Sequence, residues 1–353
     1  LIINHASANI NLKGILTVAG NLTITAGELD TDSSNYALTV TGLCHVGGGI
    51  LTGNASAISM GGLLVGSAGK YNATSATTTI TSEDATGYAW DVNGTDSFDN
   101  NDGTVLFDLP ASMDSHIRTG QADGANSFHN LTVLLDAAAR WLILRPNAGT
   151  AMTIEGNLTI SEGVVYATNV AHTLTVDGHV VVSTGGTLGH VDHTGAYTFQ
   201  SLTVAAGSPA GVFIASEGVT KLTGETSGGY AVDIASAATF THNSGTLQIG
   251  YANGSLARIG SGVNNLTINV AGTAGTVMWV DNTAIAGDLT IVEGIFRAYN
   301  EVFTIDVAGD VSIESGGTLS HAAATQALEF GSLTIASGGT YNATSGTTTI
   351  TGK

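Results

Sequence analysis

The sequence predicts an all-β chain, coiled from short parallel strands that stack on one another. A motif of the form Gly-x-Leu-x-Ile-x-x-Gly recurs about every 22 residues, as in Gly156 to Gly163 and Gly178 to Gly185, and a repeat of this length is typical of a solenoid. The whole pattern returns as a superrepeat of about 131 to 136 residues, which is about six coils. Abundant glycine, threonine, serine and asparagine disfavour helices.

Each motif supplies one strand of a coil. Alternation directs Leu158 and Ile160 to one face of the strand and Thr159 to the other. Leu158, Val180 and Leu202 are evenly spaced along the chain, so stacked coils should bury them in one column. Glycines at a fixed offset after the strands are expected at corners that require positive φ: Gly163, Gly185, Gly207, Gly294, Gly316 and Gly338.

The longer period organises one continuous solenoid, residues 1–353, into superrepeats at about 1–130, about 131–265 and, in part, about 266–353. Tyr71–Ile80 returns two superrepeats further on as Tyr341–Ile350, with nearly the same sequence. Both end segments have the pattern of strands and no polar cap. We therefore expect the array to continue in a longer parent chain or to meet neighbouring copies.

Composition limits the partners and the setting of the protein. The chain has 9 Lys and Arg against 28 Asp and Glu, a net charge of -19 that disfavours nucleic acid and anionic membrane surfaces. No apolar run approaches the ~18 residues of a membrane span, so direct membrane insertion is not expected. The single cysteine, Cys44, excludes an internal disulfide and lies at the motif position of Leu158, which predicts a core side chain.

Two polar segments are candidates for metal ligation. His190, Asp192 and His193 could hold a divalent ion, and Asp99 and Asp102 lie in an oxygen-rich loop that suits calcium. The corresponding segments of other superrepeats lose most of these groups, which favours ordinary polar corners. The sequence therefore predicts no bound metal and no cofactor, with calcium as the alternative.

Nine Asn-x-Ser/Thr sequons occur in the chain. In a sequence so rich in these residues, Asn-Leu-Thr can arise simply from a corner asparagine followed by an outward threonine. If sugars are attached, we expect them at the loop sequons Asn54, Asn93 and Asn253.

The repeated phrases Asn-Leu-Thr-Ile, Ser315 to Leu319 (Ser-Gly-Gly-Thr-Leu) and Gly339 to Thr344 (Gly-Thr-Tyr-Asn-Ala-Thr) carry a resemblance across nearly all of the chain. It resembles the right-handed parallel β-helix, or β-solenoid, proteins of bacterial and viral surfaces, such as adhesin and autotransporter passengers and phage tail fibres. The resemblance implies an extracellular, cell-surface or virion-surface location. It transfers no catalytic residue.

The expected function is a non-enzymatic structural or adhesive fibre whose partners are its own copies or further repeats of the same polypeptide. One alternative is a module for surface glycans that uses Tyr88, Trp90 and Phe98. The other is a polysaccharide-degrading enzyme of tailspike type, with paired carboxylates. Glu162 and Glu293 recur at one motif position, whereas an active site is normally unique, so no catalytic residue is predicted.

Overall fold

The computed structural model describes residues 1–110, 113–119, 126–136, 140–145, 151–167, 171–251, 254–259, 262–271, 275–299, 303–321, 325 and 327–352. The chain divides into two compact units. Unit 1 comprises residues 1–178 and 185–188, and unit 2 comprises residues 179–184 and 189–353. Each unit is a right-handed parallel β-solenoid, as predicted, and the described residues contain no α-helix.

The strands of unit 1 are β1 (Ile2–Asn11), β2 (Leu16–Val18), β3 (Leu22–Asp30), β4 (Leu38–Val46), β5 (Ile50–Thr52), β6 (Ile58–Val65), β7 (Lys70–Asn72), β8 (Thr77–Ile80), β9 (Tyr88–Val92), β10 (Phe98–Asp99), β11 (Thr104–Leu109), β12 (Ser115–Arg118), β13 (Asn130–Leu135), β14 (Trp141–Leu144), β15 (Ala151–Ile154), β16 (Leu158–Ala167) and β18 (Gly186–Leu188). Strand β17 (Thr173–Val182) has residues in both units.

The strands of unit 2 are β19 (Tyr197–Val204), β20 (Val212–Ile214), β21 (Val219–Leu222), β22 (Tyr230–Ile234), β23 (Thr239–Thr241), β24 (Thr246–Ile249), β25 (Ser255–Ile259), β26 (Asn265–Asn269), β27 (Thr276–Trp279), β28 (Thr283–Ile285), β29 (Leu289–Ala298), β30 (Ile305–Ser320), β31 (Leu328–Ile335), β32 (Thr340–Asn342) and β33 (Thr348–Ile350).

Parallel pairing places the same motif position of successive coils side by side. In unit 1, Leu22 pairs with Cys44, at the regular interval of the motif. Cys44 then pairs with Leu63 across a shorter stretch of chain, and Leu63 pairs with Trp90 across a longer one. All four side chains are fully buried. The inward column is therefore kept while the segments between strands change in length.

The regular spacing holds in the last part of unit 2. Leu289 pairs with Val311 and Val311 pairs with Leu333, each at the interval of the motif, which confirms the predicted register. The burial predicted for the central motifs is also confirmed. The buried side chains are Leu158, Ile160, Val180, Val182, Leu202 and Val204, and the half-buried ones are Thr159, Val181 and Thr203.

Cys44 behaves as a core hydrophobe, as its motif position predicted. Its side chain is buried between Leu22 and Leu63, its pairing partners on the two neighbouring strands. Burial raises the pKa of the thiol to about 12, because the thiolate would lose its hydration. The thiol is therefore protonated and unreactive in the folded chain.

The corner glycines fall into two classes. Gly163, Gly185, Gly294 and Gly338 have φ between +83° and +93°, which confirms the prediction for them. The prediction of positive φ was wrong for Gly207 and Gly316, where an added Cβ would instead meet a neighbouring side chain. A Cβ at Gly207 would fall on the Thr184 side chain, and one at Gly316 would lie 3.0 Å from Cγ of Glu293.

The Gly-Asn pair that opens the strand motif has a structural explanation. Oδ1 of Asn130 accepts a hydrogen bond of 2.9 Å from the backbone N–H of Asn157, at the same corner of the next coil. A Cβ on Gly156 would lie 2.5 Å from that Oδ1. The contact recurs in unit 2, where Asn265 Oδ1 accepts from the N–H of Asp288 at 2.9 Å. The asparagine thus ties one coil to the next, and the glycine leaves room for its side chain.

The long-range sequence repeat produces repeated contacts. The Tyr71 hydroxyl lies 2.7 Å from Oγ1 of Thr78, and the Tyr341 hydroxyl lies 2.8 Å from Oγ1 of Thr348. Equivalent sequences in the two units therefore adopt the same local structure. The boundaries of the superrepeats stay a prediction.

Candidate functional site

The candidate metal ligands at residues 190–193 point to different environments. The His193 ring is buried and stacks on Tyr197, with 4.5 Å between ring centroids. His190 and Asp192 are exposed, with Nδ1 of His190 3.8 Å from Oδ2 of Asp192. The two exposed groups are thus brought together, while the buried histidine packs with the core aromatics.

The oxygen-rich loop also separates its carboxylates. Oδ1 of Asp99 accepts a hydrogen bond of 3.2 Å from the N–H of Asn101 and so closes a local turn. The Asp102 side chain is 88% exposed and lies 3.6 Å from Nδ1 of His129. Left-handed φ values at Asp96, Asn101 and Asp102 shape the loop. Within the described ranges, no group of three His, Cys, Asp or Glu side chains is placed to share a metal ion.

Beside this loop lies an open cleft of about 440 Å³. Its lining includes Lys70, Asp96, Asp99, Ser127 and Glu155. The Glu155 carboxylate accepts one hydrogen bond from the Ser127 hydroxyl and another, of 2.9 Å, from Nδ2 of Asn100. No repeat or motif in the sequence distinguishes Glu155. Because both its oxygens already accept hydrogen bonds, its evident role is to join neighbouring coils.

A Tyr-Asp-Arg cluster occurs in both units. In unit 1, Nε of Arg118 donates to Oδ1 of Asp91 at 2.6 Å, and the guanidinium lies 4.5 Å from the centre of the Tyr88 ring. This hydrogen bond raises the pKa of Arg118. In unit 2, Arg258 donates to Asp233 at 2.6 Å and lies 5.5 Å from the Tyr230 ring. The duplication indicates a structural feature of the coil.

Two of the three aromatic residues suggested for sugar stacking are not available at the surface. Trp90 is fully buried and Phe98 is 5% exposed, and their rings pack edge to face at 4.9 Å. Tyr88 is half-buried beneath Arg118. Trp90 and Phe98 therefore cannot stack on a sugar from the surface, because a longer coil returns Trp90 to the inward column, and the glycan-binding alternative itself stays a prediction.

Two of the sequon predictions can be placed in the structure. Nδ2 of Asn54, the atom that would carry a sugar, donates to Oδ1 of Asp30 at 2.6 Å. Nδ2 of Asn93 donates to Oδ1 of Asp91 at 3.0 Å. Both side chains are half-buried. Asn253 lies outside the described residues. Glycosylation at these positions stays a prediction.

The repeated carboxylates Glu162 and Glu293 occupy the same place in their coils. Each is half-buried. Glu162 on β16 pairs with Leu134 on β13, and Glu293 on β29 pairs with Asn269 on β26, in both cases next to a β-bulge. Glu162 and Glu293 are thus equivalent in structure as well as in sequence.

Comparison with known proteins identifies no relative. No protein-family model matches the chain, and no curated protein or solved structure gives a match. Across the described residues there is no helix that is both long and apolar enough to cross a membrane.

Proposed function

We propose that the chain is a non-enzymatic structural or adhesive segment of an extracellular fibre on a cell or virion surface, of the adhesin, autotransporter-passenger or tail-fibre type. The observation that supports this most strongly is coil-on-coil pairing maintained by repeated contacts. The inward columns, the corner asparagines and the Tyr-Thr hydrogen bonds all recur. Such a fold can be extended by adding coils, because each coil contacts its neighbours only.

The placement of polar groups supports a role without catalysis. One ion pair of the coil is duplicated between the units, as Arg118 with Asp91 and as Arg258 with Asp233. Glu162 and Glu293 are duplicated as well. A reaction centre requires one set of groups in one geometry, whereas duplicated clusters serve each coil in the same way.

Edge strands supply a means of assembly with further copies or further repeats. In the described part of the chain β1 pairs with β3 alone. Ile2 on β1 is 72% exposed and Ile10 is 41% exposed. A strand edge with exposed apolar side chains favours pairing with another strand. We therefore propose that β1 pairs with a coil from a neighbouring copy or a further repeat.

Sedimentation velocity over a concentration series tests this assembly. The chain should sediment faster as concentration rises, and the double variant Ile2→Lys, Ile10→Lys should lose most of that association. Ile15→Lys is the matched control, since Ile15 is 76% exposed but lies outside the strands. A chain that stays monomeric at every concentration, or equal loss in the control, would contradict the proposal.

A further inference from the structure

Trp141 is exposed at a position where the coil of the other unit has a different residue. Of the three tryptophans, Trp90 and Trp279 are at most 1% exposed, whereas Trp141 is 46% exposed. On strand β14, Leu142 and Leu144 face the core, so alternation places Trp141 on the other face, which it shares with Ile143, a residue that is 7% exposed. An indole in water forgoes the free energy of burial that the other two gain.

The surroundings of Trp141 hold the ring and add polar groups beside it. The ring packs edge to face against Tyr166 on β16, at 5.8 Å between centroids and 84° between planes. Oδ1 of Asp114 accepts a hydrogen bond of 3.0 Å from the Trp141 backbone N–H. Oδ2 of Asp114 lies 3.7 Å from Nη1 of Arg140, and both side chains are partly exposed. An aromatic surface is thus flanked by one acceptor and one donor group.

Unit 2 contains the same arrangement of strands without the aromatic residues. Leu142 pairs with Ser115 in unit 1 as Val277 pairs with Ser255 in unit 2, so Trp141 corresponds to Thr276. By the same register Tyr166 corresponds to Arg297. The coil therefore folds with threonine and arginine at these places. The aromatic pair in unit 1 is an addition that packing does not explain.

We propose that Trp141 and Tyr166 form a binding platform for a neutral hexose-containing glycan. The C–H face of a pyranose ring is apolar and stacks on an indole. Hydroxyl groups both donate and accept hydrogen bonds, which matches the Asp114 carboxylate and the Arg140 guanidinium. Apolar contact with a few placed polar groups is the usual composition of a small-ligand site.

Charge favours a neutral ligand at this platform over an acidic one. The chain carries a net charge of -19, which repels polyanions. The Asp114 carboxylate beside the platform would also face any anionic group of the sugar. Arg140 lies close to this carboxylate and offsets its charge, while Arg145, near Tyr166, is a cation that an acidic sugar could contact, so hexagalacturonate is the necessary comparison probe. This site goes beyond the proposed structural role and does not depend on assembly.

Fluorescence titration with neutral glycans tests the platform. The probes are hexasaccharides of glucose, mannose, galactose and N-acetylglucosamine, with hexagalacturonate as the anionic comparison. At least one neutral probe should change the tryptophan emission in a saturable way. Trp141→Thr installs the residue of unit 2 and removes the reporting indole, so its affinity is measured by isothermal calorimetry with the best probe. Binding should weaken at least tenfold, a change of about 1.4 kcal/mol. The thermal unfolding midpoint of this variant should match the wild type.

Tyr166→Arg, the other residue of unit 2, provides a second variant and should also weaken binding. Arg258→Lys, on a coil of unit 2, should leave the affinity unchanged. Three outcomes would overturn the proposal: no neutral probe binds, only hexagalacturonate binds, or both platform variants bind as tightly as the wild type. Should Trp141→Thr fail to fold, isothermal calorimetry of Tyr166→Arg with the best probe decides between the platform and another site.

Discussion

At the scale of single residues, the corner asparagine makes one coil depend on the next. Its carbonyl oxygen accepts a hydrogen bond from a backbone N–H of the next coil, and the glycine at the same corner of that next coil leaves space for it. Aspartate can serve equally, because Asp288 accepts from the N–H of Asp310 at 2.9 Å. The recurring Gly-Asn or Gly-Asp pair is therefore explained by an acceptor requirement and a steric one.

Substitution of Asn130 separates this role from glycosylation. Asn130→Ala removes the acceptor of the Asn157 N–H and should lower the free energy of unfolding by about 1 kcal/mol. Asn130→Asp keeps the acceptor and should remain within about 0.5 kcal/mol of the wild type. Both variants destroy the same sequon. Equal destabilisation of the two in urea unfolding would contradict the hydrogen-bonding role.

His321 gives the protein a predicted dependence on pH. Its side chain is 1% exposed, and burial lowers its pKa from 6.5 to about 4. Between these values the unfolded chain binds a proton that the folded chain does not. Stability should therefore fall as the pH drops from 6.5 to 4, by at most about 3 kcal/mol, and stay level above 6.5 as far as this group is concerned.

Thermal unfolding between pH 4 and pH 7.5 measures this dependence. His321→Leu should flatten the part of the profile between pH 6.5 and pH 4. Burial also lowers the pKa of His172. The His321→Leu variant should therefore still lose some stability as the pH falls, but less than the wild type. An unaltered profile in His321→Leu would show that another group controls acid stability.

At the scale of strands and corners, the sequence predicts the inward columns wherever coils keep a constant length. Leu289, Val311 and Leu333 were placed correctly because the interval of the motif separates each from the next. Trp90 was not, because a longer stretch of chain separates it from Leu63 and hides its place in the column. The spacing of residues within one motif does not show how many residues separate it from the motif that stacks on it in the next coil.

Side-chain alternation along strand β14 indicates the outward position of Trp141, which the spacing of the motifs does not. The run Trp141-Leu-Ile-Leu144 is uniformly apolar, so hydrophobicity alone assigns all four residues to the core. Because successive side chains of a strand point to opposite faces, the buried Leu142 and Leu144 imply that Trp141 points away from the core. Its aromatic neighbour Tyr166 lies on the next coil, and only the strand register brings the two together. The pairing of Trp141 with Tyr166 therefore could not be predicted from the sequence.

The corner glycines can be tested against one another. Gly163 has φ of +92° and a Cβ there would lie 2.5 Å from Cδ1 of Leu135. Gly229 has φ of +80°, and a Cβ there would have no neighbouring atom within 4 Å. Gly229→Ala should cost about 1 kcal/mol through backbone strain alone. Gly163→Ala should cost about 1 to 3 kcal/mol more, since the methyl group also meets the core. Equal unfolding midpoints would contradict the steric argument.

At the scale of the whole molecule, each unit joins its coils by the same few devices. These are parallel pairing, inward apolar columns and corner hydrogen bonds. None of them is specific to one coil. A protein built in this way can gain or lose coils without a new fold, which suits a fibre more than a reaction centre.

Intact mass of the native particle, together with electron micrographs of it, tests the proposed function most directly. The proposal predicts filaments, built from many copies or from a longer chain, in which the interstrand spacing of about 4.8 Å continues along the axis. Mass should then exceed the 35.5 kDa of this sequence several-fold. A monodisperse native particle of 35.5 kDa would contradict the fibre and favour a free glycan-binding module.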